Sequence, residues 1–333
     1  ALVALYEHTN GSEWRNNNGW LTMWNPCKWY GVGCEKLDDS ESPAYTVISL
    51  FLPANNLQGS IPASLGGLPA LRYLNLTDNR LSGRLPKELG QLGQLEHLFL
   101  GANRFIGSIP PELGQLARLR NLELWAGNPL QGALSGPIPE ELGGLDQLEW
   151  IDVTGHKLNG PVPEFLGRLT NLYFLRLSNN QFSGILPSGL GDLSKLEYLR
   201  IDNNPLTGGI PHTFIRLEKL WYFEFEFTGL CQPPDVAFQT WLNSLTTLVP
   251  EDVLCDTSLA SNYGDGAPGS SFTLRGVAFP PNAPTTIAVN GREIGATRTD
   301  AFGEVVFVLD TDNAGEGCFD VTVSAGKSAL STL

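Results

Sequence analysis

The sequence predicts a solenoid of the α/β class followed by a small all-β domain. The first observation is a phrase of alternating leucines that recurs with a period of 24 residues, as at 71–79 (LRYLNLTDN), 95–103 (LEHLFLGAN) and 172–180 (LYFLRLSNN). The second is the end of this phrase near residue 228, after which short alternating segments are separated by turn residues. A fixed period of this length is typical of stacked repeats, and alternation with regular turns is typical of β-strands.

Residues 1–46 are predicted to cover the N-terminal end of the solenoid core. They begin with an apolar, helix-like run and then present Trp14, Trp20 and Trp29. Cys27 and Cys34 frame the pattern CxWxGVxC around the last of these indoles. The exposed end of a stacked core needs a lid, and several indoles form a compact one.

Residues 47–228 carry the repeats, most of them with a phrase close to LxxLxL; a degenerate copy at 47–55 opens the array, and a copy at 220–228 whose leucines have become aromatic closes it. Because side chains alternate along a strand, the leucines point into the core and the residues between them point away from it. The leading leucines step by 24 residues, except for a step of 29 that adds five residues within 127–135 (GNPLQGALS), where we expect a local loop. These leucines are Leu71, Leu95, Leu119, Leu148, Leu172, Leu196 and Leu220.

An amide recurs three positions after the last leucine of most repeats. Its side chain can both donate to and accept from backbone groups of neighbouring turns, so we interpret it as a structural ladder. His156 occupies this position in one repeat and is predicted to be a substitute hydrogen-bonding group, while in the preceding repeat the amide is displaced to Asn128. The regular members are Asn55, Asn79, Asn103, Asn180 and Asn204.

The second half of each repeat carries Gly, any residue, an aliphatic residue and Pro, as at 59–62 and 107–110. The complete phrase, LxxLxLxxNxLxGxIPxxLGxLxx, resembles the plant-type leucine-rich repeat, the family of plant receptor-kinase ectodomains and polygalacturonase-inhibiting proteins. This resemblance implies a right-handed superhelix with a parallel sheet on its concave side and a second, short sheet made by the Gly-x-Ile-Pro segments. Members of this family mostly bind ligands rather than catalyse reactions.

The flanking segments are similar to the caps of the same family. The resemblance implies one disulfide between Cys27 and Cys34 and a second between Cys231 and Cys255, which leaves Cys318 over. The second pair brackets a short predicted helix within a C-terminal cap at 229–256. Paired cysteines indicate an oxidising compartment, so the protein is predicted to be extracellular or on the cell surface.

Residues 257–333 are predicted to form a separate β-sandwich. The stretch 258–271 (SLASNYGDGAPGSS) has the composition of a linker, and alternating segments follow it. This region resembles the immunoglobulin-like modules appended to secreted bacterial proteins, which implies a stalk, spacer or adhesive module. Calcium in the loops is left open, because Asp300, Asp310, Asp312 and Asp320 also suit turns. The predicted strands are Phe272–Gly276, Thr285–Val289, Gly303–Leu309 and Cys318–Ser324.

Charge and hydropathy exclude two classes of partner. The chain has 21 basic and 35 acidic side chains and a net charge of −14, which disfavours nucleic acid and anionic membrane surfaces. No apolar run approaches the roughly 20 residues that a membrane span needs. We therefore expect neither a nucleic-acid partner nor a membrane-spanning segment in this chain.

The outward residues of the predicted concave face are the candidate ligand contacts, because they are not needed in the core. Adjacent exposed aromatic side chains form an apolar patch, and such patches usually mark binding sites. We hypothesise a groove centred on Trp150, Phe174 and Tyr198, with Arg176 and Arg200 supplying contacts to anions or hydrogen-bond acceptors. The full candidate set is Tyr73, His97, Phe99, Trp125, Trp150, Asp152, Phe174, Arg176, Tyr198, Arg200, Tyr222 and Glu224.

The sequence contains no nucleophile elbow, Walker loop, dinucleotide-binding fingerprint or HExxH motif, so no enzyme, catalytic residue, cofactor or metal site is predicted. Two classes of function stay open. The first is a recognition module that binds a protein or peptide, or a polysaccharide, on the concave face. The second is a structural or adhesive surface protein in which the solenoid acts as a rigid spacer.

Overall fold

The computed structural model describes residues 1–37, 44–128, 130, 132–246, 254–255, 258–261, 271–310, 321–325 and 328–332. The chain divides into two compact units. Unit 1 comprises Ala1–Asn159 and Arg168–Asn180, and unit 2 comprises Gly160–Gly167 and Gln181–Leu333. Cys318, Asp312 and Asp320, on which the sequence analysis made predictions, lie outside the described residues.

Unit 1 begins with a compact cap. Helix α1 covers Leu2–His8, 3₁₀ turns cover Gly11–Glu13 and Pro26–Lys28, and the strands Val32–Lys36 and Tyr45–Phe51 pair as an antiparallel hairpin. The buried side chains of Trp14, Trp20 and Trp29 pack between these elements and stabilise the cap.

Three indoles of the cap, those of Trp14, Trp20 and Trp29, form a continuous cluster. The rings of Trp14 and Trp20 lie 4.8 Å apart, as do those of Trp20 and Trp29. Each indole N–H donates to a backbone carbonyl, so no polar group is stranded inside the cluster. The predicted disulfide between Cys27 and Cys34 is present in the same cap.

The repeats of unit 1 build a parallel sheet that continues from the hairpin, which we call the main sheet. Its central residues, among them Leu74, Leu98 and Leu122, are fully buried, as the alternation of leucines predicts. The strands are Tyr73–Asn75, His97–Phe99, Asn121–Glu123, Trp150–Asp152 and Phe174–Arg176.

The helical side of each repeat is 3₁₀ and not α, so the α/β description holds only for the caps. In six of the seven helices named below a leucine N–H donates to the carbonyl of the preceding proline, as between Leu89 and Pro86 at 3.1 Å, and in the last helix Phe214 is the donor to Pro211. Successive helices approach so closely that a Cβ on Gly90 would overlap the carbonyl of Glu112. In chain order the 3₁₀ helices are Ala63–Gly67, Lys87–Gln91, Pro111–Gln115, Glu140–Gly144, Glu164–Arg168, Ser188–Asp192 and His212–Arg216.

The second half of the repeats forms short strands in three separate small sheets and not in one continuous second sheet, and their positions differ from those that the resemblance implies. They lie on the residues up to and just past the glycine, and the Ile-Pro dipeptide follows as a connection to the 3₁₀ helix. Proline has no N–H to give to a ladder, which explains this shift. These strands are Gln58–Gly59, Arg80–Gly83, Arg104–Phe105, Ser135–Gly136, Lys157–Gly160, Gln181–Phe182, Thr207–Gly209 and Gly229–Cys231.

The asparagine ladder is present. Asn79 accepts from the backbone N–H of Leu57 at 3.0 Å and donates to the carbonyls of Leu52 and Leu76, both at 2.9 Å. One amide thus satisfies backbone groups of its own repeat and of the preceding one.

His156 takes over this role in its repeat, as predicted. Its Nδ1 accepts from the N–H of Leu134 at 3.2 Å and its Nε2 lies 2.7 Å from the carbonyl oxygen of Leu124. Burial lowers the pKa of His156, although the bond to Leu124 and the charge of Asp152 oppose that shift. The pair of bonds requires the neutral ring with its proton on Nε2.

The five additional residues leave the main sheet undisturbed. Asn121 pairs with Trp150 and Glu123 with Asp152 in unbroken register. The displaced amide, Asn128, does not join the ladder, because its side chain is exposed and accepts from the N–H of Leu130 within the loop. The ladder is therefore interrupted in this repeat, as the displacement of the amide predicts.

Unit 2 continues the repeat pattern with the parallel strands Tyr198–Arg200 and Tyr222–Glu224. Helix α2, Val236–Asn243, begins at Asp235, whose carboxylate accepts from the N–H of Phe238. The second predicted disulfide, between Cys231 and Cys255, is present beside this helix.

Two antiparallel sheets follow in unit 2, which we call the C-terminal β-domain (258–332). One contains Ser258–Ser261, Ser271–Val277 and Val305–Asp310; the other contains Pro284–Val289, Arg292–Arg298, Val321–Ala325 and Ser328–Thr332. A single apolar cluster, including Phe279, Ile287, Val305 and Val323, takes residues from both sheets.

Two predictions about this domain need correction. The first four residues of the expected linker, Ser258–Ser261, form a strand that pairs with Ser271–Val277. Alternation also missed two further strands, Arg292–Arg298 and Ser328–Thr332, whose short polar sequences resemble turns. The immunoglobulin-like assignment itself stays a prediction.

The C-terminal β-domain contacts the last repeat of unit 2 through polar groups. The N–H of His212 donates to Oε1 of Glu304 at 2.9 Å, and the His212 ring stacks on Phe302 with centroids 3.3 Å apart. The buried guanidinium of Arg275 donates to the carbonyl of Gly209 at 3.4 Å. The C-terminal β-domain is thus held to the last repeat by non-covalent contacts as well as by the connecting polypeptide.

Candidate binding face

The residues that alternate with the buried leucines form one face of the main sheet, which we call the strand face. The structure divides the predicted contact residues between the two units. On unit 1 it brings together Tyr73, His97, Phe99, Trp125, Trp150, Asp152, Phe174 and Arg176. On unit 2 it brings together Tyr198, Arg200, Tyr222 and Glu224.

The first part of the unit 1 face is a cluster of rings. Tyr73 lies 5.4 Å from both His97 and Phe99, measured between ring centroids, and Phe51 lies 6.2 Å from Tyr73. His97 Nδ1 is 2.7 Å from Oδ1 of Asn121 on the next strand, which fixes the imidazole against its neighbour. The residues named in this part of the face supply aromatic rings and hydrogen-bonding groups, and none of them is a carboxylate or a guanidinium.

Further along unit 1, Trp150 and Phe174 stack nearly parallel, with centroids 3.4 Å apart and an angle of 7°. The guanidinium carbon of Arg176 lies 4.9 Å from the Phe174 centroid and its Nη1 lies 3.5 Å from Oδ2 of Asp152. Asp152 is buried, and its other oxygen accepts from the N–H of Thr154. Arg176 is therefore already engaged by a ring and a carboxylate.

Two residues that the sequence analysis left out of the candidate set shape this region, Glu123 and Gly101. Burial and the charge of Asp152 raise the pKa of Glu123, while a hydrogen bond from Trp125 and the charge of Arg176 oppose that shift. The indole of Trp125 lies against Gly101, where any Cβ would overlap it. A signal existed for both: Glu123 shares the column of Asp152, and Gly101 stands 24 residues before Trp125.

On unit 2, Tyr198 and Tyr222 stack at 4.4 Å with an angle of 2°. Arg200 lies between two carboxylates, with its Nε 2.8 Å from Oε2 of Glu224 and 3.2 Å from Oδ1 of Asp202. The Tyr222 hydroxyl donates to Glu224 at 2.6 Å, and this bond, more than burial, raises the pKa of Tyr222.

This network changes the role expected of Arg200. Its Nε and Nη2 atoms are occupied by Asp202 and Glu224, which also compensate its charge. Burial acts to lower the pKa of Arg200, but the hydrogen bond that it donates to Asp202 and the negative charges of Asp202 and Glu224 outweigh burial and raise the pKa. We therefore assign Arg200 to holding the carboxylates and Tyr222 in place, with less capacity for an incoming anion than the sequence suggests.

Across the described ranges, no three His, Cys, Asp or Glu side chains are placed to hold a metal ion. Within the same ranges, no helix has the length and apolar character required to cross a membrane.

Comparison with known proteins identifies the repeats. A family model described as leucine rich repeat matches residues 46–105 and 163–230. A stretch of 62 residues is 44% identical to a probable leucine-rich repeat receptor-like protein kinase of Arabidopsis thaliana, and covers 17% of this chain and 6% of that protein. The segments that the family model matches end before the C-terminal β-domain.

Solved plant receptors share the fold. The ectodomain of the Arabidopsis thaliana receptor kinase GASSHO1/SCHENGEN3, in complex with CASPARIAN STRIP INTEGRITY FACTOR 2, has a TM-score of 0.63 at 32% identity, over 74% of this chain and 29% of that chain. The Arabidopsis receptor kinase HAESA, in complex with the peptide hormone IDA and the co-receptor SERK1, has a TM-score of 0.60 at 30% identity, over 74% and 40% of the respective chains.

This chain therefore spans less than half the length of each of these relatives. Its repeats are similar to those of plant receptor-kinase ectodomains.

Proposed function

We propose that this leucine-rich repeat chain is a non-enzymatic, extracellular recognition module that binds a protein or peptide on its strand face. The observation that carries the proposal is the composition of that face. Its positions hold stacked aromatic side chains and ordered charges, although the core of the main sheet needs neither. Aromatic and arginine side chains dominate the energetics of protein interfaces.

The relatives support the same type of partner. The HAESA ectodomain is in complex with a peptide hormone and a co-receptor, and the GASSHO1/SCHENGEN3 ectodomain is in complex with CASPARIAN STRIP INTEGRITY FACTOR 2. The two cystines support an oxidising, extracellular environment. The proposal places a contact surface on each unit, one around Trp150 and Phe174 and one around Tyr198 and Tyr222.

The test is selection from a random-peptide phage library on immobilised wild-type protein, followed by binding of the enriched peptides to variants. Trp150→Ala and Tyr198→Ala remove one ring from each surface. We expect at least one of them to weaken binding by roughly tenfold, the effect typical of a moderate interface hot spot. Trp24→Ala is the matched control, because it removes an indole that is 94% exposed in the N-terminal cap.

Melting temperatures confirm that each variant is folded before binding is compared. Equal binding by wild type and both face variants would overturn the placement on the strand face. A glycan array with the same proteins tests the alternative ligand class: saccharide binding that is lost in Trp150→Ala, with no enriched peptide, would replace the peptide proposal by a polysaccharide one. Absence of any ligand in both assays would favour a structural or adhesive role.

A further inference from the structure

The charges on the unit 1 part of the strand face are unbalanced. Glu123 and Asp152 are directly paired in the register of neighbouring strands, whose spacing is about 5 Å. Arg176, on the next strand, forms an ion pair with Asp152 at 3.5 Å. Glu123 forms no ion pair with any described residue. Two carboxylates therefore lie close to a single guanidinium at this point of the face, and only Asp152 is paired with it.

The surroundings of Glu123 strengthen this imbalance. Its side chain is half-buried, and burial together with the charge of Asp152 raises its pKa more than Arg176 and Trp125 lower it. An incoming cation would therefore meet a net negative potential in a partly desolvated setting, where Coulomb attraction is stronger than in water.

The same region is lined by rings that suit a basic side chain. Trp125 donates its hydrogen bond to Glu123, and the stacked pair Trp150 and Phe174 lies beside the carboxylates along the sheet. Arg176 already places its guanidinium 4.9 Å from the Phe174 centroid, so a guanidinium fits against these rings. Rings and carboxylates together bind the stem and the charged end of arginine or lysine.

We propose that the surface formed by Glu123, Trp125 and Trp150 receives a basic side chain, arginine or lysine, of the bound peptide or protein, and that the buried Asp152 adds to its negative potential. This inference rests on the proposed function and specifies its ligand. A partner that presented a carboxylate here would face Glu123 and Asp152, and repulsion between like charges would oppose its binding. The acidic surplus of the whole chain, −14, attracts the same class of partner at long range.

The test uses the random-peptide selection on full-length protein and reads the composition of the enriched peptides by sequencing. Wild type is compared with Glu123→Gln, which removes the charge and keeps an oxygen that can accept from Trp125. Glu140→Gln is the matched control, because Glu140 is exposed on a 3₁₀ helix away from the strand face. We expect arginine and lysine to be enriched on wild type and on Glu140→Gln, and roughly tenfold less on Glu123→Gln.

The outcomes separate the two proposals. Basic peptides enriched equally on Glu123→Gln would overturn the assignment to this surface. Neutral or acidic peptides whose binding is lost in Trp150→Ala would overturn the inference of a basic ligand and leave the recognition function standing. Absence of enrichment on every protein contradicts both proposals. A decrease of basic enrichment at high salt is the further expected result, since salt screens the attraction.

Discussion

At the scale of single residues, hydrogen-bond geometry defines the internal ladder of the repeats, and residue type is secondary. His156 accepts from Leu134 and contacts the carbonyl of Leu124, just as Asn180 accepts from Leu158 and donates to Val153. The imidazole makes this pair of contacts in the repeat that follows the five additional residues. Unlike an amide, however, it can take up a proton.

Protonation of His156 should therefore destabilise the fold. Because burial holds its folded-state pKa below the unfolded value of about 6.5, the unfolded state binds more protons between these two values. The His156 contribution to stability is complete above pH about 6.5 and decreases as the pH falls towards the folded-state pKa, by at most about 1.4 kcal/mol per pH unit. Denaturant unfolding of wild type and His156→Asn between these pH values measures the effect.

Subtracting the two curves isolates this residue from the acidic groups that titrate nearby. We expect the difference between the two curves to be constant on the alkaline side and to change on the acid side, where wild type loses stability relative to His156→Asn. His8→Asn, which replaces an exposed histidine of helix α1, is the matched control and should reproduce the wild-type slope. A His156→Asn curve parallel to wild type would show that the ring tolerates protonation in place.

A second prediction concerns Gly101, against which the indole of Trp125 packs. A methyl group at Gly101 would overlap the indole, so Gly101→Ala should cost about 1–3 kcal/mol of unfolding free energy, the range for an overpacked site. In a Trp125→Ala background the same change should cost much less. Gly93→Ala is the control, because a Cβ there meets no atom within 4 Å. Equal costs of Gly101→Ala in both backgrounds would show that the clash lies elsewhere.

At the scale of elements, the repeat period of the sequence predicts the positions of the strands, their buried residues and the insertion. The period of 24 residues places the strands of the main sheet correctly, and alternation within LxxLxL separates the buried residue Leu122 from its outward neighbours Asn121 and Glu123. The five-residue insertion is also located from the step between Leu119 and Leu148. These features are local repeats of a chemical pattern, so they need no knowledge of tertiary contacts.

Elements that depend on neighbours are less predictable. The close approach of one 3₁₀ helix to the next requires glycine at positions such as Gly90, and it arises from packing. The strand Ser258–Ser261, within a linker-like stretch, arises from pairing with a neighbouring strand. The candidate site shows the same limit: its rings are identifiable from their columns, whereas the engagement of Arg200 by Asp202 and Glu224 follows from side-chain conformations. The repeat period therefore predicts which residues lie on the strand face, whereas the contacts that each of them makes are known only from the structure.

At the scale of the molecule, unit 2 joins a repeat array to a β-domain through a buried polar contact. Burial lowers the pKa of the Arg275 guanidinium, against the opposing charges of Glu304 and Glu164. Burial likewise raises the pKa of Glu304, against Arg275 and the hydrogen bond from His212, while Asp300 adds to the rise. Each buried charge is thus tolerated because the other is present.

This mutual dependence leads to the last prediction, a double-mutant cycle on Glu304 and Arg275. Glu304→Gln keeps an acceptor for the N–H of His212 but leaves Arg275 with less compensation, so we expect a loss of about 2 kcal/mol in unfolding free energy. Arg275→Met fills a similar volume and leaves Glu304 without its cation, at a comparable cost. The double variant should cost clearly less than the sum of the two single variants, since neither charge is then left buried alone.

The measurement is thermal and denaturant unfolding of the four proteins, with proteolysis to locate which part opens first. We expect the single variants to expose the junction between the last repeat and the C-terminal β-domain while the N-terminal cap stays protected, because stacked repeats interact mainly with their neighbours. Additive costs in the cycle would mean that Glu304 and Arg275 act independently. In that case the His212 hydrogen bond and the stacking of its ring on Phe302 would be the contacts that join the domain to the array.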